Sequence, residues 1–263
     1  MLNTEKQVKQ QARAALKGNF TQLIATAGLA AVAVIFVQCA QTVALLLTKC
    51  VDVNTEEVID GMLFIYLAVT AGASALMLII TPLFNGFLKA AANTAVKKSC
   101  EAGDVFFYFR GAGRYFKTLL INLILFVLFS IISNALSPAY YLEKLLPQWF
   151  EQGLGFTLES AAVICAETVS VVIRVIVFML FVHFPLLAYA LNDELGVGRC
   201  IFPNIGFGFK NFSKLFKLML SFAGWFALCF FVLPLIYVVP YYAVSASMSA
   251  RWLYEMDKNR GVI

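Results

Sequence analysis

Apolar and polar positions in this chain fall into long blocks. Residues 23–47, 62–84, 116–136, 161–191 and 215–252 are apolar for much longer than the core helix of a soluble domain requires. A bilayer crossing takes about 20 mainly apolar residues, so each of the first four blocks predicts a transmembrane helix. Pro82 bends or ends the second, and Pro185 kinks the fourth. The fifth block is too long for one ordinary crossing and is interrupted by Pro234 and Pro240, so it predicts two short spans joined by a tight turn. The pattern therefore predicts an all-α polytopic transmembrane helical bundle with five or six spans. It forms one integral membrane domain over residues 1–263, with the bundle itself in 23–256.

Three further segments follow a different pattern. In residues 1–18, Val8, Ala12 and Leu16 recur at helical spacing while Lys6, Lys9, Arg13 and Lys17 lie mostly elsewhere. That predicts an amphipathic interfacial helix facing anionic lipid, ended by Gly18. Residues 105–110 (VFFYFR) are too short to cross, so they lie at the interface or pack under the bundle, with Gly111 and Gly113 freeing the chain to turn. On the opposite side, Tyr140, Tyr141, Trp149 and Phe150 among Glu143, Lys144 and Glu151 predict a short helix at headgroup level.

Composition identifies the solvent. Of 263 residues, 61% are hydrophobic, 13% are charged and 25 are Phe. Soluble domains carry roughly 25% charged residues, and this chain has too few polar side chains to cover a soluble core of its size. Mean hydropathy is +0.83. The net charge of +5 is carried by short segments between apolar blocks and forms no basic stripe on a polar domain. Basic residues recur in every second segment: Lys6, Lys9, Arg13 and Lys17; then Lys89, Lys97, Lys98, Arg110, Arg114 and Lys117; then Arg199, Lys210, Lys214 and Lys217. The intervening segments are acidic, with Asp52, Glu56, Glu57 and Asp60, then Glu143, Glu151 and Glu159. The positive-inside rule then predicts a multi-pass protein of the inner or plasma membrane with a cytoplasmic N-terminus. If the last block is a hairpin, Arg251, Lys258 and Arg260 fit the same side. The first apolar block is too long for a signal h-region of about 7–15 residues, and Gln38 excludes a lipobox before Cys39.

Three predicted cytoplasmic segments share a basic residue, an aromatic and a small polar residue: Lys17 with Phe20, Arg114 with Phe116, and Lys210 with Phe212. One reading is interface anchoring by aromatics and snorkelling cations; the other is three related helical hairpins. Phe202, Phe207, Phe209, Phe212 and Phe216 interleave with Lys210, Lys214 and Lys217. Single-stranded nucleic acid is bound by such sets, but beside a span a membrane interface is the better reading, so membrane lipids are the expected partners and nucleic acid is not.

Candidate chemistry inside the blocks is sparse. Glu167 and Arg174 lie seven residues apart, on one helix face and about 10 Å apart along the axis. They are either a polar stripe lining a cavity or substrate path, or an arginine satisfied by a neighbouring helix with a glutamate that snorkels outward. His183 is the only histidine and has no ligand-spaced Cys, Asp or Glu, so no metal site is expected; it is a packing or interface residue or the third member of that set. Gln38, Gln41, Asn122 and Asn134 are candidate interhelical hydrogen-bond residues, and Gly72, Ser74 and Ala75 allow close helix contact. No CxxC pair exists among the six cysteines, though Cys50 and Cys165 both fall near the outer face and a disulfide between them is one option. Walker A, HExxH, GxSxG and dinucleotide fingerprints are absent, and no cofactor is expected.

Residues 14–20 (AALKGNF) and 220–225 (LSFAGW) are similar to the ALKGNW start and the LSFIGW motif of a family of uncharacterised bacterial multi-spanning membrane proteins. Pro240-Tyr241 followed by Tyr254 is similar to its closing PY…FY pattern, and residues 185–193 (PLLAYALND) resemble its PG…YxxAPYILAD region. The chain departs from the family at Leu186, where Gly follows the central Pro, and at Leu235 and Ile236, where the family tends to have glycines. The family is distantly similar to the membrane domain of some glycerophosphodiester phosphodiesterases. The resemblance implies a fold and a location but no catalytic residues.

The leading expectation is a non-enzymatic module that binds or helps move a lipid or other hydrophobic molecule, beside a protein partner or as a homo-oligomer. Alternatives are a secondary transporter using Glu167 and Arg174, an intramembrane enzyme in which His183 joins them in one pocket, and a structural or immunity-type scaffold.

Overall fold

The computed structural model describes residues 5–51, 58–59, 61–96, 98–145, 158–194, 196–231 and 233–259, with the backbone alone for 158–159, 230 and 257–259. The acidic residues expected in 52–60, the expected headgroup-level residues Trp149, Phe150 and Glu151, the side chains of Glu159 and Lys258, and Lys97 and Arg260 lie outside this description.

The fold is all-α, with no strand among the described residues. Helix α1 covers Glu5–Leu16, α2 Phe20–Thr48 and α3 Leu63–Ala95. A 3₁₀ segment, Ala102–Phe109, leads into α4, Ala112–Ala135, and α5, Pro138–Leu145. Helix α6, Leu158–Phe178, passes through a π turn, Met179–His183, into α7, Phe184–Leu191. Then come α8, Val197–Leu220, α9, Ala223–Leu228, a 3₁₀ turn, Cys229–Phe231, and α10, Leu235–Asn259.

Among the described residues four helical stretches are long and apolar enough to cross a membrane: Phe20–Thr48, Leu63–Ala95, Ala112–Ala135 and Ser160–Leu191. The expected five or six spans differ from this in the last apolar block. Its first residues, up to Leu220, belong to the amphipathic helix α8, which buries Cys200, Ile201, Asn204, Phe207, Gly208, Asn211, Leu215 and Leu218 along one side. The turn falls at Leu233 and Pro234, ahead of α10, whereas Pro240 sits inside α10. The motif at Lys210 and Phe212 therefore lies midway along α8 and opens no span, unlike Phe20 at the start of α2 and Arg114 and Phe116 in the first turns of α4.

Prolines in the spans are accommodated locally. Helix α3 runs through Pro82, whose missing N–H frees the Leu78 carbonyl; the Thr81 hydroxyl donates to that carbonyl at 2.7 Å. In the fourth span the helix widens before the proline, as the π turn ends at His183, two residues ahead of Pro185.

Helices α2 and α3 are about 43 and 50 Å long at 1.5 Å per residue, more than a hydrocarbon core of about 30 Å. Burial divides them lengthwise. In α3, Phe64 is 83% exposed, while Phe87, Leu88 and the run Ala90, Ala91 and Ala92 are buried. In α2, Leu23, Thr26 and Ala30 are buried and Ile35, Phe36 and Leu47 are exposed. The packed core thus gathers at the basic end of the bundle, where α3, α7, α8 and α10 meet, and the α2–α3 and α4–α6 pairs project from it as apolar arms.

Helix α1 contributes to this core. Its stripe Val8, Ala12 and Leu16 packs on α10 and α3 and so does not face lipid as expected. The Lys9 ammonium donates to the Ser221 carbonyl at 2.5 Å and lies 4.1 Å from the centre of the Phe222 ring. Burial, and then the nearby Arg13 charge, holds the Lys9 pKa below its usual range. Cys50 and Cys165 are both free, Cys50 buried and Cys165 exposed, so they form no disulfide.

Candidate binding cavity and buried polar seam

A layer of polar side chains ties the two arms together where they leave the core. The Asn85 amide on α3 donates to Asn122 Oδ1 on α4 at 3.1 Å, and the Asn122 amide donates to Thr81 Oγ1 at 2.8 Å. One turn away on α4, Thr118 shares a 2.8 Å hydrogen bond with the Tyr189 hydroxyl, and the Tyr189 ring stacks on Tyr108 with centroids 5.2 Å apart. Tyr108 and Val105 are fully buried, so the segment expected to pack under the bundle does so as a plug, with Phe106 and Phe109 left exposed. Gly86 makes this possible, because a Cβ there would collide with the Val105 backbone.

Beside the plug, charge ties α3 and α4 to the end of α7. Lys89 Nζ lies 2.6 Å from Asp193 Oδ1, and Lys117 Nζ donates to the Asp193 carbonyl at 2.6 Å. Lys89 and Arg114 also face the Phe107 ring, at 5.2 and 4.3 Å. Burial pushes the Asp193 carboxyl up, but the Lys89 hydrogen bond and charge outweigh it and hold the pKa below its ordinary value.

Of the four interhelical candidates, Asn122 bridges helices as expected, Gln41 is half-buried, and Gln38 and Asn134 are exposed. Gly72, Ser74 and Ala75 are exposed too, and a Cβ at Gly72 would meet nothing within 4 Å; Ala73 is the buried residue of that turn. Close approach occurs instead at Gly86 and at Gly208, which faces the Phe184 ring. Gly86 sits in a helix beside an alanine-rich run, and nothing in its sequence context marks it as the docking point of a segment 19 residues away.

Glu167 and Arg174 lie on an exposed face of α6. His183 is buried in the π turn, about 13 Å further along the axis. Its Nε2 is 3.3 Å from the Tyr242 hydroxyl, and its ring lies near parallel to those of Phe178 and Tyr242. The three residues do not converge on one site. Among the described residues no group of three His, Cys, Asp or Glu is placed to hold a metal ion.

A cavity of about 620 Å³ opens between α1, the start of α2, the end of α3 and α10. Small-molecule sites are typically about 300–1,000 Å³. Val8, Ala15, Ala95 and Met248 supply apolar wall; Lys17, Arg251, Glu255 and Trp252 supply charge and an amphipathic ring. Arg251 Nε is paired with Glu255 Oε1 at 2.8 Å. Met248, Arg251, Trp252 and Glu255 recur at i, i+3, i+4 and i+7, so they share a helix face. That spacing was available in the sequence, but its partner, the Val8 side of α1, lies more than 230 residues away.

No protein-family model, curated protein or solved structure matches the chain.

Proposed function

We propose that this chain is a non-enzymatic membrane module that binds a hydrophobic molecule with a polar head. The observation that carries this reading is the cavity between α1 and α10, where apolar wall adjoins Lys17, Arg251, Glu255 and Trp252. A mixed lining of this kind suits a ligand whose two ends differ in polarity. The distribution of basic segments supports a cytoplasmic location for this end of the bundle and for the N-terminus, and the resemblance in residues 14–20 and 220–225 supports a bacterial inner membrane. A partner protein or a second copy completes the picture if the module hands its ligand on.

Trp252 offers a direct test. Replacing Trp149 and Trp225 by Phe leaves Trp252 as the sole tryptophan. Amphiphiles with brominated chains are expected to quench it saturably, and Ala15→Phe, which fills the cavity, is expected to abolish the saturable part. Quenching that is linear in amphiphile and indifferent to Ala15→Phe would remove the cavity as the binding site.

A further inference from the structure

The terminal apolar block is built unlike the four spans. Its first arm, α9 with the 3₁₀ turn, is nine residues from Ala223 to Phe231, about 13 Å at helical rise. The chain then turns at Leu233 and Pro234 and returns as α10. Both arms are rooted at the basic end. Lys9 binds the Ser221 carbonyl and caps the Phe222 ring at the base of the first arm. Tyr237 of the returning arm meets Phe20, the first residue of α2, at 5.7 Å. From Tyr237 to Leu233 is four residues, so the tip passes the start of the first span by only about 6 Å, against a hydrocarbon core of about 30 Å.

The described side chains at the tip of this hairpin are apolar and exposed. Leu228 is 48% exposed, Phe231 69%, Leu233 77% and Ile236 52%. No charged residue occurs between Lys217 and Arg251. Helix α8, which feeds the hairpin, presents the exposed cations Arg199, Lys214 and Lys217 with the exposed rings of Phe202 and Phe209. An apolar wedge too short to cross, with cations and aromatics beside its base, matches one leaflet of a membrane: chains at the tip, anionic headgroups at the helix. We infer that the hairpin around residues 222–236 is re-entrant, entering and leaving the same leaflet, and that α8 lies against the anionic headgroups of that leaflet. α8 and the end of α10 then lie on one side of the membrane.

Cysteine labelling tests the wedge. In a chain with exposed Cys39 and Cys165 and half-buried Cys229 replaced by Ala, and the buried Cys50, Cys100 and Cys200 kept, single cysteines are introduced as Lys214→Cys, Leu233→Cys or Glu255→Cys. The protein is placed in sealed vesicles containing phosphatidylglycerol. A membrane-impermeant maleimide is expected to label the Lys214 and Glu255 variants from the same side and the Leu233 variant from neither until detergent is added. Labelling of the Leu233 variant from the side opposite Lys214 would make the hairpin a crossing, and labelling from the same side would place it in water; either overturns the inference. For the headgroup contact, Lys214→Gln with Lys217→Gln is expected to lower the preference for phosphatidylglycerol over phosphatidylcholine in retained-lipid mass spectra by roughly tenfold or more. An unchanged preference would overturn that part and leave the wedge as a purely apolar insertion.

Discussion

Gly86 on α3 and Val105 in the 3₁₀ plug meet backbone against backbone, with no room for a side chain on α3 at that point. Gly86→Ala is therefore expected to push the plug outward, costing about 1–3 kcal/mol, as overpacking typically does. Thermal unfolding in detergent reads this, with Gly72→Ala as the control. Gly72 has open space around it, so its replacement is expected to be neutral or slightly stabilising.

Asn122 is the hinge pin of the polar seam, donating to Thr81 and accepting from Asn85. Interhelical hydrogen bonds within membranes average about 0.6 kcal/mol and reach about 1.7. Asn122→Leu removes two, so a loss of about 1–2 kcal/mol is expected. A double-mutant cycle with Asn85→Leu measures the share that belongs to the Asn–Asn bond, and a coupling of zero would mean that the two amides act independently.

The Lys89–Asp193 pair sets a pH dependence. The folded state holds the Asp193 pKa below the ordinary value, so the pair's contribution is fully present above the ordinary carboxylate range near about 4. It is lost as pH falls through the lower folded value. Asp193→Asn is expected to lower the midpoint of unfolding at neutral pH and to shrink the drop between neutral and strongly acidic pH. Melting curves of both proteins across that window check this, and parallel curves would show that the pair contributes nothing.

Glu167 and Arg174 stand apart from the cavity on the exposed face of α6. Glu167→Gln and Arg174→Gln are expected to leave the saturable quenching of Trp252 unchanged within error. A loss of that signal in either variant would tie the α6 stripe to ligand binding and revive a transport path through it.

The spans were legible because a bilayer imposes a length and an apolar composition on any helix that crosses it, and residues 23–47 or 116–136 satisfy both without reference to the rest of the chain. The start of the terminal block was less legible, because hydropathy does not record direction. The side chains of 215–220 are apolar enough for a span, yet Leu215 and Leu218 continue the buried stripe of α8 begun at Cys200. The α1 stripe was legible as amphipathic, but a periodic apolar face is the same whether protein or lipid covers it, and Tyr241 and Phe222, which help decide the matter, come more than 200 residues later. The cavity was hidden for the same reason, since its walls belong to the two ends of the chain. Glu167 and Arg174 drew attention because ionisable residues are expensive inside a membrane, a rule that gives cost and not orientation.

The contact of α1 with α10 also sets an order on biosynthesis. Lys9 leaves the ribosome more than 200 residues before Ser221 and Tyr241, the groups it binds. At about 5–20 residues per second, roughly 10–50 s pass in which Val8, Ala12 and Leu16 have no α10 to rest on. Until then α1 has only α3 to pack on, and a chain terminated anywhere before α10 would leave the rest of its apolar stripe uncovered.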